Sequence, residues 1–217
     1  MGRLFLIDAA AALALVALWY LCLASYNHRR GSKALHWVEA ACSHSGQVTE
    51  ARWIGGSRLQ AHLRFAAHWF ENARVTIRLL PRPLPVQWLV SAWYKQRETL
   101  TFEADLDCAP GIRLEVLRHR WLTHSDDKVV RKSRHWTVVR PGPVVLTTCT
   151  QRKQELPPVI NTLMTSRGHN LLSVRFRPES PHLAATIDLE ALSDERAAAG
   201  FLGVLRDLAA GVSTHRQ

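Results

Sequence analysis

The first pattern along the chain is an apolar run from Leu4 to Ala24, which a single charge, Asp8, interrupts. At the helical rise, about 20 residues cross a hydrocarbon core of about 30 Å. Trp19 and Tyr20 stand near one end of the run, where amphipathic rings favour the headgroup region of a bilayer. The run therefore predicts one membrane-spanning helix that tethers the rest of the chain.

A cleavable signal peptide is the alternative for this run. Arg3 would form its short basic flank, and the residues Cys22 to Ala24 weakly imitate a cleavage site. However, the apolar stretch is longer than that of a signal peptide, and Asp8 falls inside it. We therefore expect an anchor, in which Asp8 either contacts another helix or reaches the membrane interface.

The charges on the two sides of the run differ. Arg3 lies on the short side, whereas Arg29, Arg30 and Lys33 follow the run closely. Positively charged flanks stay in the cytoplasm. The sequence therefore predicts a single-pass membrane protein with its N-terminus outside and its domain in the cytosol.

Beyond the run the pattern becomes helical at Gly31 and then alternates. Apolar residues at 3.6-residue spacing predict a helix that Ser32 caps and Gly46 ends. Strict alternation after the Gly55-Gly56 pair predicts a hairpin. Alternating segments predict strands at residues 47–54, 58–65, 74–80, 99–105, 112–117, 136–139, 143–150, 172–176 and 183–187.

Three more helices are expected among these strands. The first follows Pro85, the second runs from Leu156 to Gly168, and Ser193 caps the third. Their apolar positions are Val86, Leu89, Ala92 and Trp93 in the first, Ile160, Leu163 and Met164 in the second, and Ala197, Phe201, Leu205 and Leu208 in the third. The elements predict an α+β fold, with a mostly antiparallel sheet and helices on one of its faces.

We divide the chain into an anchor with its basic flank, residues 1–30, and one cytosolic α+β domain, residues 31–217. Residues 75–116 and 145–187 share the order strand, proline-marked helix, strand and strand. Their corresponding positions are 72 or 71 residues apart. Both an internal duplication and the chance agreement of two ordinary segments explain this similarity.

Charge indicates what the domain meets. The net charge is +10 and the isoelectric point is about 10.2, which favours a negatively charged neighbour. Half of that charge, +5, lies between Ile112 and Arg140 together with two tryptophans, a mixture suited to lipid headgroups or to stacking on RNA. A solubilising surface is the alternative. We define the basic segment as Arg118, Arg120, Trp121, Lys128, Arg131, Lys132, Arg134 and Trp136.

No reaction is indicated by a motif. The sequence contains no P-loop, GxGxxG, GxSxG, HExxH or CxxC pattern. Cys42, Cys108 and Cys149 suggest neither a disulfide framework nor a zinc site, and they suit a reducing compartment. We therefore expect no cofactor, no metal and no catalytic residue, and a non-enzymatic role in binding a partner at the bilayer.

A membrane-anchored enzyme acting on lipid or lipid precursors is the alternative function. His62, His68 and His124 are the histidines that a cleft would have to bring to a carboxylate. Glu98, Glu103, Asp105 and Asp107 crowd around one strand, where Glu103 and Asp105 share a side as on a solvent-exposed face. Such a cleft would favour the enzyme over the binding module.

Three stretches carry a resemblance to a known family. They are SKALHWVEAACSHSGQVTEARWIGG, VTIRLLPRPLPVQWLVSAWYKQRETLTFEADL and LLSVRFRPESP with the strand and helix that follow it. Together with the N-terminal anchor, they resemble calumin, the coiled-coil-domain protein of the endoplasmic reticulum membrane that serves in the PAT complex of the multipass translocon. The sequence lacks that family's acidic luminal region and C-terminal coiled coil. The resemblance implies a cytosolic module that assists membrane-protein insertion or folding.

Replacing Lys128, Arg131, Lys132 and Arg134 with serine tests the basic segment. Thermal unfolding of the domain without its anchor should stay nearly unchanged, because a polar segment contributes little to a core. Each cation near an anionic surface contributes about 1 kcal/mol, so binding to anionic vesicles or RNA should weaken by more than about two decades. Raised salt should weaken the parent in the same direction.

Vesicle co-sedimentation and RNA gel shifts at low salt measure this change. Equal binding by the parent and the fourfold variant would reduce the basic segment to a solubilising surface.

Overall fold

The computed structural model describes residues 2–43, 45–66, 69–107, 109–110, 113–118, 137–139, 144–148 and 171–213. Its helices are α1 (Gly2–Cys42), α2 (Pro85–Trp93) and α3 (Glu195–Ser213), with a 3₁₀ turn at Leu189–Ala191. Its strands are β1 (Gly46–Trp53), β2 (Arg58–Phe65), β3 (Phe70–Arg78), β4 (Thr99–Leu106), β5 (Leu114–Arg118), β6 (Thr137–Val139), β7 (Val144–Thr148), β8 (Leu171–Phe176) and β9 (Leu183–Asp188).

These nine described strands form one antiparallel sheet in the order β1-β2-β3-β4-β9-β8-β5-β7-β6. The strands β1 to β4 form a meander, and β5, β7 and β6 form the other side of the sheet. The hairpin of β8 and β9 bonds to β4 on one side and to β5 on the other. The sheet is therefore continuous only once this late hairpin is in place, which makes the fold dependent on long-range contacts.

One face of the sheet carries the core. Inward-facing positions of the strands are buried there, and among them Phe102, Phe176 and Leu183 are completely excluded from solvent. Ala34 and Val38 of α1 join the same core, as do Phe201, Leu205 and Leu208 of α3. The two helices also contact each other. The predicted α+β class, with helices on one face of a mostly antiparallel sheet, is confirmed.

Helix α1 is unbroken over 41 residues, about 60 Å at the helical rise. The sequence predicted a separate helix from Gly31 with Ser32 as its cap, and this is wrong because Gly31 lies inside α1. Close packing explains this glycine: a Cβ at position 31 would lie 2.6 Å from Cη2 of Trp53. The boundary drawn between residues 30 and 31 thus falls within a helix.

The cap of α3 is Asp194 rather than the predicted Ser193. Its Oδ1 accepts a hydrogen bond from the backbone N–H of Ala197 at 2.7 Å. That bond satisfies one of the N–H groups that a helix leaves without a partner at its first turn. The apolar side of α3 buries Phe201, as the spacing of the apolar residues predicted.

The predicted strands are present with small shifts in their ends. The largest concerns β3, which begins at Phe70 rather than Arg74, because the register shifts between Glu71 and Arg74 where Asn72 has a φ of 48°. This irregularity interrupts the alternation from which the strand was inferred. The helix predicted over residues 156–168 lies outside the described residues.

The proposed duplication pairs β3, β4 and β5 with β7, β8 and β9. In the sheet β3 and β4 are neighbours, whereas β5 separates β7 from β8. The two sets of strands therefore share an order along the chain but not a set of hydrogen-bonded pairs. The duplication itself stays a prediction.

Two glycine substitutions test the packing of α1 on β1. Changing Gly31 to alanine should lower the free energy of unfolding by about 1 kcal/mol, because overpacking against Trp53 outweighs the gain in helix propensity. Changing Gly203 to alanine in α3 should instead raise it by about 0.5–1 kcal/mol, since a Cβ there meets nothing within 4 Å. Thermal unfolding of the full-length variants and the parent in the same detergent measures both changes in stability. Equal stabilisation by the two changes would contradict the contact between Gly31 and Trp53.

Candidate functional site

The apolar half of α1, which ends at Ala24, is mostly exposed. Its most apolar 18-residue window has a mean hydropathy of 2.2, and none of that window is buried. Only one helix in the described part of the chain is long and apolar enough to cross a membrane. The second half of the same helix enters the core, so α1 belongs to both parts of the molecule.

Asn27 lies where α1 meets the domain, and its side chain is fully buried. Its Nδ2 donates hydrogen bonds to the backbone carbonyls of Gly56 at 3.1 Å and Leu80 at 2.9 Å. Its Oδ1 accepts one from Nη1 of Arg82 at 3.2 Å. One amide thus joins α1 to the turn between β1 and β2 and to the segment after β3.

Glu98 lies beside Asn27 and precedes β4, with a side chain that is only 5% exposed. Its Oε1 accepts hydrogen bonds from Nη1 of Arg82 at 2.5 Å and from the backbone N–H of Leu80 at 3.2 Å. Its Oε2 lies 2.7 Å from Nε of Arg30 on α1. Burial of a carboxylate is unfavourable unless it is paired, and two guanidinium groups pair it here. We call Asn27, Arg30, Arg82 and Glu98 the junction cluster.

The three residues predicted to set topology have different surroundings. Arg29 is exposed, and Nζ of Lys33 lies 5.2 Å from the ring centroid of Trp37. Arg30 belongs to the junction cluster and also donates a hydrogen bond to the hydroxyl of Tyr26 at 3.1 Å. Burial lowers the pKa of Arg30, but the hydrogen bond to Tyr26 and the charge of Glu98 outweigh it, so the pKa is raised.

Aromatic contacts surround the junction cluster. The guanidinium of Arg82 lies 5.1 Å from the ring centroid of Tyr26, and the ring of His28 stacks on Trp53 at 4.9 Å. In addition, the ring of Trp19 in the apolar half approaches that of Trp88 of α2, with 6.2 Å between their centroids. We call the end of the domain that carries the junction cluster, Trp53 and α2 the junction end.

Exposed apolar side chains gather at the junction end. Outside the apolar half of α1, the described large apolar residues that are exposed there are Tyr26, Ile54, Leu84, Val86, Leu89, Val90, Trp93 and Tyr94. Trp69 is the one described member of this class that lies elsewhere. A patch of this kind on a soluble domain marks a site of contact with protein or membrane.

The strand that leads into the basic segment also ends at the junction end. Trp53, Leu59, Ile77, Leu100 and Ile187 are successive register partners from β1 to β9. Ile187 pairs with Leu171 at the start of β8, and Leu117 of β5 pairs with Ser173. The last residues of β5 therefore lie close to this row of register partners, which borders the junction cluster. Arg120, Trp121, Lys128, Arg131, Lys132, Arg134, Trp136 and the side chain of Arg118 lie outside the described residues.

A hollow of about 630 Å³ on the outer face of β1 to β3 bears on the alternative of an enzyme. Its lining includes His62 with Glu50, its partner in the register of β1 and β2, and Glu71. Within the described residues, no hydrogen bond or ion pair joins His62 to either carboxylate, and no group of three side chains could hold a metal ion. His68 and His124 lie outside the described residues.

Two further features lie on the core side of the sheet. A groove of about 610 Å³ is lined by Ala41 of α1, by Trp69 and by Leu202 and Arg206 of α3. Next to it Cys42 is fully buried, and burial together with the charge of Glu39 raises the pKa of its thiol to about 11. Cys42 is therefore protonated at neutral pH and packs as an apolar residue.

The junction cluster was not foreseen from the sequence. Glu98 was grouped with the carboxylates around β4, of which Glu103 is indeed half-exposed and paired with Arg74 at 2.6 Å. Nothing in the local pattern distinguishes Glu98 from Glu103. A weak signal was available in Asn27, because it is an uncharged polar residue on the side of α1 that continues, at helical spacing, into Ala34 and Val38.

Comparison of the chain with protein-family models found no match. Comparison with the curated proteins found no significant match either.

Changing Glu98 to alanine tests the junction cluster. It leaves two partly buried guanidinium groups and the N–H of Leu80 without their acceptor, so the free energy of unfolding should fall by about 2–3 kcal/mol. Glu98→Gln keeps the size of the side chain and one acceptor oxygen, so the free energy of unfolding should fall less. Chemical unfolding of the full chain in detergent measures the changes.

Glu103→Ala is the matched control, because Glu103 also pairs with an arginine but on the open face of the sheet. Its ion pair with Arg74 is half-exposed, and its loss should cost less than about 1 kcal/mol. Similar losses at positions 98 and 103 would show that the junction cluster does not hold α1 to the sheet.

Proposed function

We propose that this protein is a non-enzymatic, single-pass membrane protein whose basic domain faces the cytosol and binds a partner at the bilayer surface. Helix α1 carries the proposal, since one unbroken helix is both apolar enough to span a membrane and part of the core of the domain. A domain attached in this way has a fixed position relative to its anchor.

The charge distribution supports the cytosolic orientation. Arg29 and Lys33 are exposed on α1 directly after the apolar half. The end of β5, from which the basic segment continues, lies at the junction end. Both features would bring cations to the cytoplasmic leaflet, which carries anionic lipid.

The partner that we propose is another membrane protein during its insertion or folding. The resemblance to calumin supports this role, because that family provides a cytosolic module beside the multipass translocon. The attachment of the domain to α1 supports it too, since a module held at the bilayer surface meets segments as they enter the bilayer. Anionic lipid or RNA would contact the basic segment beside that partner.

A membrane-anchored enzyme acting on lipid is the second candidate, and the hollow that holds His62 and Glu50 favours it. His62 lies four residues along β2 from Arg58, about 13 Å from the junction end. A lipid substrate would have to leave the bilayer to reach it. Mutation of His62 should therefore leave the function of the protein unchanged, whereas loss of function would favour the enzyme.

An insertion experiment in cells that lack the protein tests the proposed role. Reporters with several membrane spans should insert less efficiently than in cells that contain it, while single-span reporters should insert normally. The parent should restore insertion, and the variant with serine at Lys128, Arg131, Lys132 and Arg134 should restore it less. Unchanged insertion of every reporter would exclude this role.

Protease protection of the same membranes tests orientation separately. The domain should be digested in inside-out vesicles and protected in intact cells, and Arg29→Glu with Lys33→Glu should weaken this preference. Digestion from outside intact cells would show that the domain is not cytosolic, whatever the insertion assay reports.

A further inference from the structure

Helix α2 turns its apolar side away from the domain. Val86, Leu89 and Trp93 recur at helical spacing along one side, and their exposures are 73%, 60% and 85%. The one buried residue of this helix is Ser91, on the opposite side. This is the reverse of a soluble domain, where the apolar side of a helix faces the core.

The position of α2 along α1 gives the depth at which this apolar side lies. Trp88 contacts Trp19, which lies eight residues before Asn27 on α1, about 12 Å along the helix axis. Ala24 is the last residue of the apolar run, so Trp19 lies about 7–8 Å inside the end of that run. Helix α2 therefore reaches back from the domain beside the apolar half of α1.

An interfacial helix has the same depth. Such helices place their apolar side about 5–10 Å into the boundary between headgroups and acyl chains. Trp93 and Tyr94 at the end of α2 are aromatic, as Trp19 and Tyr20 on α1 are, and the interface favours such rings. Lys95 lies two residues after the end of α2 and is exposed, as a cation among phosphate groups would be.

We propose that α2 is an interfacial membrane helix, whose apolar side Val86, Leu89, Val90 and Trp93 lies in the lipid of the leaflet that α1 enters. The proposal rests on the proposed function in one respect, namely that α1 spans the membrane. The partner is the lipid surface itself, since the apolar surface of α1 continues onto α2 through the contact of Trp19 with Trp88. The domain is then held to the bilayer at two places, which fixes its rotation about α1.

A partner protein is the other possible cover for this side of α2. The depth argues for lipid, because a helix beside the apolar half of α1 meets lipid without any further component. The junction cluster also argues for lipid: it keeps the segments on both sides of α2 in place through Arg82 and Glu98, so α2 has no free length with which to reach away from the bilayer.

Nitroxide labels on the full chain in nanodiscs of phosphatidylcholine and phosphatidylglycerol test the proposal. Single cysteines replace Leu89, Trp93, Trp69 or Leu15 in a chain whose four native cysteines are alanine. Collision of the label with oxygen reports lipid, and collision with a water-soluble nickel complex reports water. We expect the ratio of oxygen to nickel collisions at Leu89→Cys and Trp93→Cys to resemble that at Leu15→Cys and to exceed that at Trp69→Cys.

Each outcome decides a separate point. Nickel collision at Leu89→Cys equal to that at Trp69→Cys would place α2 in water and overturn the proposal. Low collision with both reagents would show that protein covers α2, and it would overturn the proposal in favour of a partner or a second copy. Nickel collision at Leu15→Cys would instead contradict the spanning of α1 and hence the proposed function.

A second measurement avoids the cysteine replacements. Brominated lipids quench tryptophan fluorescence, so Trp93→Phe should remove part of the quenchable emission of the otherwise unchanged chain. Trp69→Phe should remove emission that the lipids do not quench. Equal effects of the two changes would count against the interfacial helix.

Discussion

A buried carboxylate determines how the apolar helix and the sheet are joined. Glu98 lies between Arg30 of α1 and Arg82 of the segment after β3, and its buried charge is tolerated there because both guanidinium groups pair it. These residues are far apart in the sequence and meet only in the folded chain. Asn27 adds the turn between β1 and β2 through its bond to Gly56. The cluster thus connects α1 to three separate parts of the domain.

The junction cluster fixes the orientation of α1 relative to the domain, and this orientation holds along the whole helix. Long helices bend only gently unless a proline, a bulge or an inserted group interrupts their hydrogen bonds, and α1 continues without a break from Gly2 to Cys42. Gly31 could have been a point of flexibility, but Trp53 packs against it and Ala34 anchors the next turn in the core. The domain therefore behaves as a rigid extension of the apolar half of α1.

Sequence periodicity was sufficient to predict an element and its buried side where the local pattern matches the tertiary surroundings. The strict alternation of β2 and the helical spacing of α3 predicted both elements and their buried sides. Gly31, Glu98 and the apolar side of α2 were misjudged or unresolved for one common reason. A sequence pattern states that a residue prefers a close contact, a counter-charge or an apolar medium, but not which tertiary neighbour provides it. For α2 the spacing shows an apolar side and leaves open whether protein or lipid covers it.

The rigid junction also limits what can contact α2 and the end of β5 together. Three strand spacings separate β4 from β5 in the sheet, roughly 15 Å, and the twist of the sheet turns the strands relative to one another across that distance. A folded partner or an RNA would need a surface shaped to both points. A fluid bilayer adapts to both without such a match, because lipids rearrange around whatever apolar and cationic groups reach them. The geometry that fixes the domain on α1 therefore favours lipid over a folded partner as the surface that contacts both α2 and the end of β5.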